Sequence, residues 1–221
     1  DVACGTGQVA FPAFRAGAHV TGVDIVPDLI DQARRRAARE NKAIRFDVGD
    51  AEALPYEDDA FDLVVSLIGA MFAPRPALAA AELIRVCRPG GRIAMGNWTP
   101  EGFIGQMFSA VGRFVPPSPL MEPPIKWGQE DIVRQRLDAG IAELTLSRRS
   151  YRFHYPFSPK AVVEYYRQYF GPINRAFAVL DRADSRGLHD DLERLWTKHN
   201  LAGNGETLVD AEILEVIAVC E

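Results

Sequence analysis

The chain has 221 residues, of which 48% are hydrophobic and 25% are charged, and its formal net charge is −5. This length predicts one large domain, or one domain with a modest appendage. The composition is typical of a globular protein and argues against a disordered, collagen-like or disulfide-stapled chain. No apolar run approaches the ~20 residues of a membrane-spanning helix, and the acidic balance argues against nucleic acid. We therefore expect neither a membrane nor a nucleic-acid partner.

The cysteines and histidines give no sign of disulfides or of a metal site. Cys4, Cys87 and Cys220 form an odd set without a close pair, which is typical of reduced thiols. None of the four histidines has the spacing to a cysteine or an acid that zinc ligands show, so we predict no metal site. No basic and apolar leader opens the chain, and we expect a cytoplasmic location.

Residues 1–98 alternate between short apolar runs and helical stretches. Strands are predicted at 2–4, 19–24, 44–48, 63–68 and 92–98, and helices up to about 17, at 27–42 and at 77–87. Pro12 lies within the first helix, which we expect it to kink. Pro89, Gly90 and Gly91 are predicted to end the last of these helices. The alternation predicts a parallel sheet with helices on both faces.

The second half of the chain differs from the first in composition and in the order of its predicted elements. Five of the fifteen prolines lie at positions 115–128 and predict a loop or a lid. Ser158 is predicted to cap a helix whose tyrosines fall at helical spacing. The other predicted elements are a helix at 129–139, a strand at 143–155, further helices up to 180 and at 184–199, and a last strand at 213–219.

A glycine-rich turn carries the clearest chemical signal. Gly5-Thr6-Gly7-Gln8-Val9-Ala10 fits G-x-G-x-x-G/A between a strand and a helix, where backbone N–H groups are free to bind a ligand. Asp24, seventeen positions after Gly7, ends the next strand and is placed to accept hydrogen bonds from a ribose diol. A tight strand-to-helix turn would explain the glycines but not the acid as well. The pattern predicts a nucleotide-cofactor site.

Asp1 helps to distinguish between the possible nucleotide cofactors. A carboxylate beside the glycine turn repels a pyrophosphate, whereas it attracts the sulfonium and ammonium groups of S-adenosylmethionine (SAM). The acid therefore favours SAM over NAD(P). An NAD(P)-linked oxidoreductase stays open as the alternative at this point.

Four motifs resemble those of the Rossmann-like (class I) SAM-dependent methyltransferases, in particular the small-molecule branch similar to ubiquinone and menaquinone biosynthesis methyltransferases (methyltransferase type 11). They are Asp1-Val2-Ala3-Cys4-Gly5-Thr6-Gly7, Gly22-Val23-Asp24, Gly49-Asp50-Ala51 followed by Phe61-Asp62-Leu63-Val64, and Arg85-Val86-Cys87-Arg88-Pro89-Gly90-Gly91. The resemblance covers residues 1–98, with Ala3 where the family often has a glycine. It implies an α/β, doubly wound, mostly parallel seven-stranded sheet. The last strand would be antiparallel, with a helical insertion at about 158–200 between the last two strands.

The same resemblance implies a SAM site at the strand ends. Gly5 and Gly7 would let the loop pass beneath the methionine moiety, close to Ala3 and Cys4, and Asp24 would hold the ribose hydroxyls. The full set of cofactor-binding residues that it implies is Asp1, Ala3, Cys4, Gly5, Gly7, Asp24, Ile25, Asp50, Ala51, Ser66 and Leu67.

The remaining members of this set would bind the adenine ring and the ammonium group. Ile25 would pack on the adenine, Asp50 would accept from its amino group, and the Ala51 N–H would donate to a ring nitrogen. Ser66 and Leu67 would offer backbone carbonyls toward the ammonium. A turn acid is the simpler explanation for Asp50, and a helix N-cap for Asp24, when each is taken alone.

The acceptor pocket is predicted past the ends of the fourth and fifth strands. Its candidate residues are Met71, Phe72, Asn97, Trp98, Phe103 and His154. Most of them are apolar, which favours a small apolar or aromatic acceptor, although core packing is the alternative. A surface or structural role explains His154 equally well, so the catalytic residues stay unassigned.

The sequence thus predicts a SAM-dependent methyltransferase that acts on an O, N or C nucleophile of a small molecule, as a monomer or homodimer. A non-catalytic SAM-fold binding protein is a second alternative, since intact binding residues do not prove turnover. We divide the chain into a SAM-binding core at 1–98 and a substrate-side half at 99–221 that completes the same domain. Because the first strand begins inside its motif, we expect that preceding residues are absent, disordered or cleaved. The resemblance implies that these residues would include one or two helices, which often cover the cofactor in the family.

Overall fold

The computed structural model describes residues 1–119 and 121–221. The strands are β1 (Thr21–Asp24), β2 (Arg45–Val48), β3 (Phe61–Leu67), β4 (Cys87–Trp98), β5 (Ile141–Tyr155) and β6 (Thr207–Cys220). The helices are α1 (Ala10–Arg15), α2 (Pro27–Arg39), α3 (Pro76–Arg85), α4 (Phe103–Gly112), α5 (Glu130–Arg136), α6 (Pro159–Tyr169), α7 (Gly171–Val179) and α8 (Arg182–His199). Short 3₁₀ turns lie at Ala70–Phe72 and Pro124–Gly128. The second of these turns ends the predicted loop or lid at 115–128, whose Leu120 lies outside the described residues.

These strands form one sheet of two strands and one of four. β1 and β2 are parallel, with Asp24 opposite Val48, and β3 and β4 are parallel, with Leu67 opposite Gly96. The larger sheet has the order β3-β4-β6-β5. Since parallel strands run in the same direction, paired strand ends lie side by side at one edge. This pairing brings the residues after β1 and β2 close together.

The α/β class is confirmed, whereas the predicted count of seven strands is not, because the described residues contain six. The predicted first strand is reduced to one residue, Val2. It forms a parallel bridge with Val23, and its N–H donates to the Val65 carbonyl at 2.7 Å. A single bridging residue lacks the run of ladder hydrogen bonds that makes a strand. The two sheets are therefore separate.

The Pro89-Gly90-Gly91 segment lies inside β4, so the prediction that it ends a helix is wrong. β4 begins at Cys87, which is opposite Phe61, whereas Leu63 is opposite Arg92. Between these two pairs, more residues of β4 than of β3 are present. The Pro89-Gly90-Gly91 segment therefore forms an irregularity in the strand pair, of the kind that glycine commonly allows.

Pro12 lies in the first turn of α1 rather than in its interior. α1 begins at Ala10 and has six residues, and the first N–H groups of any helix lack an intrahelical partner. Pro12 therefore removes no hydrogen bond within α1, although the N–H groups of Phe11 and Ala13 on either side of it donate to the Gly7 and Val9 carbonyls. The Ala16 N–H donates to the Pro12 carbonyl at 3.0 Å, which continues the helical pattern beyond it.

The chain divides into two compact units whose limits differ from the predicted division after residue 98. The first unit comprises 1–97, 124–147 and 214–221, and the second comprises 98–123 and 148–213. In the first unit α2 buries Ile30 and Ala33 against a cluster that contains Phe11 and Phe46. In the second unit α8 packs on α4 and α6 and fully buries Leu188 and Trp196.

The helical insertion between β5 and β6 is present as α6, α7 and α8. The predicted cap is also observed, since the Ser158 side chain accepts from the Ala161 N–H at 3.5 Å at the start of α6. Membrane-spanning length and apolarity are found in none of the helices that the structure describes.

Candidate cofactor site

The glycine turn between Val2 and α1 has backbone conformations that are unfavourable for residues with a side chain. Gly5 and Gly7 have φ values of 54° and 86°, in the left-handed region, and a Cβ on Gly7 would lie 2.9 Å from the Phe11 ring. Both strain and space therefore favour glycine at position 7. Ala3 is left-handed as well, with a φ of 55°, so the turn is strained at the position where the resemblance has a glycine.

Asp24 ends β1 and holds the glycine turn in place. Its buried carboxylate accepts from the Gly5 N–H through Oδ2 at 2.8 Å and from the Val26 N–H through Oδ1 at 2.9 Å. The alternative role of an N-cap is not observed, since Val26 is the N-cap of α2. Each carboxylate oxygen has a second lone pair. Asp24 can therefore accept hydrogen bonds from ribose hydroxyls while it holds the turn.

Asp1 lies beside the same turn, with part of its hydrogen-bonding capacity already used. Its Oδ2 accepts from the Ala10 N–H at 3.0 Å, at the start of α1. A carboxylate is stabilised near the N-terminus of a helix, where N–H groups lack partners. The acid therefore anchors α1 and also supplies negative charge next to the turn.

Asp50 begins a tight corner after β2. Its Oδ1 accepts from the Glu52 N–H at 2.9 Å, so it is a turn acid, and its remaining lone pairs can accept from an adenine amino group. The buried Glu52 carboxylate accepts from the Arg75 backbone N–H at 2.5 Å and from Arg75 Nε at 2.6 Å. These bonds tie the Asp50–Ala51 corner to the residue before α3.

Three apolar side chains are exposed where β1, β2 and β3 end. Ile25 is 62% exposed, Val48 47% and Leu67 49%. Ile25 and Val48 lie at one edge, because Asp24 is paired with Val48. A flat apolar ring bound beside carboxylates needs a surface of this kind. The residues present therefore fit the adenosine part of SAM.

Ser66 and Leu67 end β3 next to the glycine turn. The Ser66 hydroxyl donates to the Val2 carbonyl at 2.9 Å and accepts from the Ala70 N–H at 2.8 Å. The residue after them, Ile68, has a φ of 56°, which is rare for a β-branched residue. The sequence prediction concerned only the backbone carbonyls of Ser66 and Leu67, so it missed this use of the hydroxyl.

The side chain of Cys4 belongs to the core rather than to the site. It packs in the cluster of the first unit that contains Phe11 and Phe46. Burial, reinforced by the negative charge of Asp24, raises the pKa of the Cys4 thiol to about 12. A contact from position 4 to a cofactor would therefore come from the backbone.

Three of the predicted acceptor-pocket residues lie in the first unit. Met71 and Asn97 are buried, and Phe72 is half-buried. Neither polar atom of the Asn97 side chain has a hydrogen-bond partner within 1–119 and 121–221. A buried amide without a hydrogen-bond partner lowers the stability of the folded state. Most buried polar groups have partners, so the carboxyl end of β4 is unusual in this respect.

The other three predicted pocket residues lie in the second unit. Trp98 is buried, and the Phe103 ring packs edge-on against Trp196 with centroids 4.5 Å apart. The His154 side chain is 57% exposed, and its Nε2 lies 3.1 Å from Glu206 Oε2. This surface pair accounts for His154 without a catalytic role.

Sequence reasoning missed two features of the site, the role of the Ser66 hydroxyl and the contact of Glu52. Ser66 is the only polar residue in the apolar run at 63–68, and that contrast was a usable signal for a specific hydrogen-bonding role. Glu52 had no such signal, because its partner Arg75 is 23 positions away and only the fold brings them together.

Comparison with known proteins supports the same family. Residues 1–95 match the family model described as a methyltransferase domain. A Mycobacterium tuberculosis protein, itself uncharacterised, is 37% identical over 195 residues, which are 88% of this chain and 70% of that protein. A demethylmenaquinone methyltransferase of Deinococcus radiodurans is 36% identical over 121 residues, 53% of this chain and 50% of that protein.

A solved structure from Bacillus halodurans, described as a candidate methyltransferase, has the same fold. Its TM-score is 0.64 at 21% identity, and the match covers 99% of this chain and 90% of that one. The family match also spans the glycine turn, Asp24 and the Asp50 corner, which are the residues whose geometry fits SAM. The chain belongs to the class I SAM-dependent methyltransferases.

Proposed function

We propose that the protein binds SAM at the ends of β1, β2 and β3 and transfers its methyl group to a small acceptor. The observation that carries this proposal is the Asp24 carboxylate, which accepts the Gly5 N–H at 2.8 Å. This hydrogen bond joins the glycine turn to Asp24, the acid to which the resemblance assigns the ribose. The exposed Ile25 beside it supports a contact with adenine.

Bound SAM would supply a methyl group that its sulfonium already activates, so placement is the main task of the protein. Asp24 and Asp50 would orient the nucleoside, and the charge of Asp1 would attract the cationic end. A base is needed only for a nucleophile that must lose its proton. We assign no residue to that role.

The proposed acceptor is apolar or aromatic and offers an O, N or C nucleophile. In the second unit Tyr151, Phe153 and Tyr155 form a row along β5, with successive ring centroids 5.3 and 6.2 Å apart. Tyr165 of α6 adds a ring 5.9 Å from Tyr155, and both Tyr151 and Tyr165 are exposed. Exposed aromatic rings favour a flat apolar ligand. The name of the Deinococcus radiodurans relative likewise denotes a small-molecule acceptor.

Isothermal titration calorimetry with S-adenosylhomocysteine (SAH), the product form of the cofactor, tests the binding site. We expect saturable heat with SAH and none with NADH, which is the matched control for the oxidoreductase alternative. Binding of NADH in place of SAH would overturn the proposal.

Transfer is tested with methyl-tritiated SAM and a bacterial small-molecule extract. We expect label in an organic-soluble product that a heat-inactivated sample does not form. If SAH binds but no fraction gains label, the chain is instead a non-catalytic SAM-binding protein.

A further inference from the structure

Ser66 is buried inside β3 and joins two segments that are distant in sequence. The residue is 1% exposed. Its hydroxyl donates to the Val2 carbonyl at 2.9 Å and accepts from the Ala70 N–H at 2.8 Å. A hydroxyl can donate and accept at once. An apolar residue in its place would leave both buried backbone groups without this partner, at a cost in free energy.

The backbone next to these two bonds is strained. Ile68 has a φ of 56°, and its N–H donates to the Gly96 carbonyl at 2.8 Å. A Cβ on Gly69 would lie 2.7 Å from the Ala3 Cβ, so the turn after β3 presses against the glycine turn. Strained conformations persist only where the surroundings hold them. Ser66 bonds to Val2, just before the glycine turn, and to Ala70, in the turn after β3, so it is one of the groups that hold both turns.

We infer that Ser66 is a positioning residue, whose hydroxyl fixes the glycine turn against the turn after β3 and thereby shapes the subsite for the amino-acid end of SAM. This inference rests on the proposed function, because it requires SAM to bind at this site. The groups assigned to the nucleoside end have supports outside these two turns: Asp24 also accepts from the Val26 N–H, and Asp50 accepts from the Glu52 N–H. Loss of the Ser66 hydroxyl should therefore affect the two ends of the ligand unequally.

Two ligands separate these two ends in calorimetric titrations. SAH carries the amino-acid end, whereas 5′-deoxy-5′-methylthioadenosine keeps the nucleoside and lacks the amino acid. Ser66→Ala removes both hydrogen bonds, and we expect it to weaken SAH binding by at least about three- to tenfold, the range for one hydrogen bond. Binding of methylthioadenosine should stay unchanged. Ser66→Thr keeps a hydroxyl and should restore SAH affinity.

Thr207→Val is the matched control, since it also removes a buried hydroxyl, one that donates to the Phe157 carbonyl at 2.8 Å in the second unit. It should leave both affinities unchanged. If Ser66→Ala does not fold, Ser66→Cys replaces it, because a thiol keeps the volume and hydrogen-bonds weakly. Equal weakening of both ligands, or unchanged SAH binding, would overturn the positioning role alone. A wild-type protein without affinity for SAH would overturn the proposed function as well.

Discussion

Asp24 combines a structural and a ligand-binding role in one carboxylate, and this combination has a testable consequence. Asp24→Asn would place an amide N–H against one of the two backbone donors, Gly5 or Val26, and leave that donor unsatisfied. An unsatisfied buried group costs about 1–3 kcal/mol, and each kcal/mol lowers Tm by about 2–4 °C for a chain of this length. We therefore expect a lower Tm in the ligand-free variant, measured by differential scanning fluorimetry.

Asp50→Asn is the matched control for this measurement. The bond from the Glu52 N–H uses Oδ1, an oxygen that asparagine keeps. The ligand-free Tm should therefore change little. An unaltered Tm in Asp24→Asn would show that the carboxylate serves the ligand alone, contrary to its two backbone contacts.

At the scale of elements, the start of α8 provides a prediction that is independent of the cofactor. Asp181 caps this 18-residue helix, and its Oδ1 accepts from the Ala183 and Asp184 N–H groups at 2.8 and 2.9 Å. Removing such a cap costs about 1 kcal/mol. We expect Asp181→Ala to lower Tm by about 2–4 °C and to leave SAH affinity unchanged, since the assigned cofactor residues lie in the first unit.

Arg186→Ala, an exposed change on the same helix, controls for the mutation itself. Its Tm should match that of the wild type. If both variants lose the same stability, the cap of α8 makes no specific contribution.

The sequence predicted elements best where local chemistry defines them. The cap at Ser158 and the acid at the end of β1 were both readable, because hydroxyl and carboxylate groups have clear uses at those positions. The start of β4 at Cys87 could not be predicted in this way, since the proline and glycines that follow it normally end an element. Pairing with neighbouring strands of the sheet makes that irregular segment part of a strand.

At the scale of the whole molecule, local patterns predicted the α/β class but not the pairing of distant segments. The run at 2–4 has the composition of a strand, yet Val2 is its one residue in a bridge, and its partners Val23 and Val65 are distant in sequence. Each of the two compact units is also built from segments that are distant in sequence.

The three thiols make the stability of the first unit measurable. Cys4, Cys87 and Cys220 all lie in that unit and are buried, and burial raises the pKa of Cys4 and Cys87 to about 12. Protonated, inaccessible thiols do not react. We expect the disulfide reagent DTNB to label none of them at pH 8 in the folded protein and all three after unfolding in guanidinium.

Ligand binding should then protect all three thiols together. A ligand that binds only the folded state at about 100 times its Kd adds about 2.7 kcal/mol, which lowers the unfolded population about 100-fold. In mild denaturant, SAH should therefore slow labelling by about that factor, whereas the same concentration of NADH should not. Labelling that SAH binding does not slow would mean that the thiols react through local openings. In that case the burial of Cys4 beside Asp24 would not be coupled to the cofactor site, contrary to the contact between Asp24 and the glycine turn that contains Cys4.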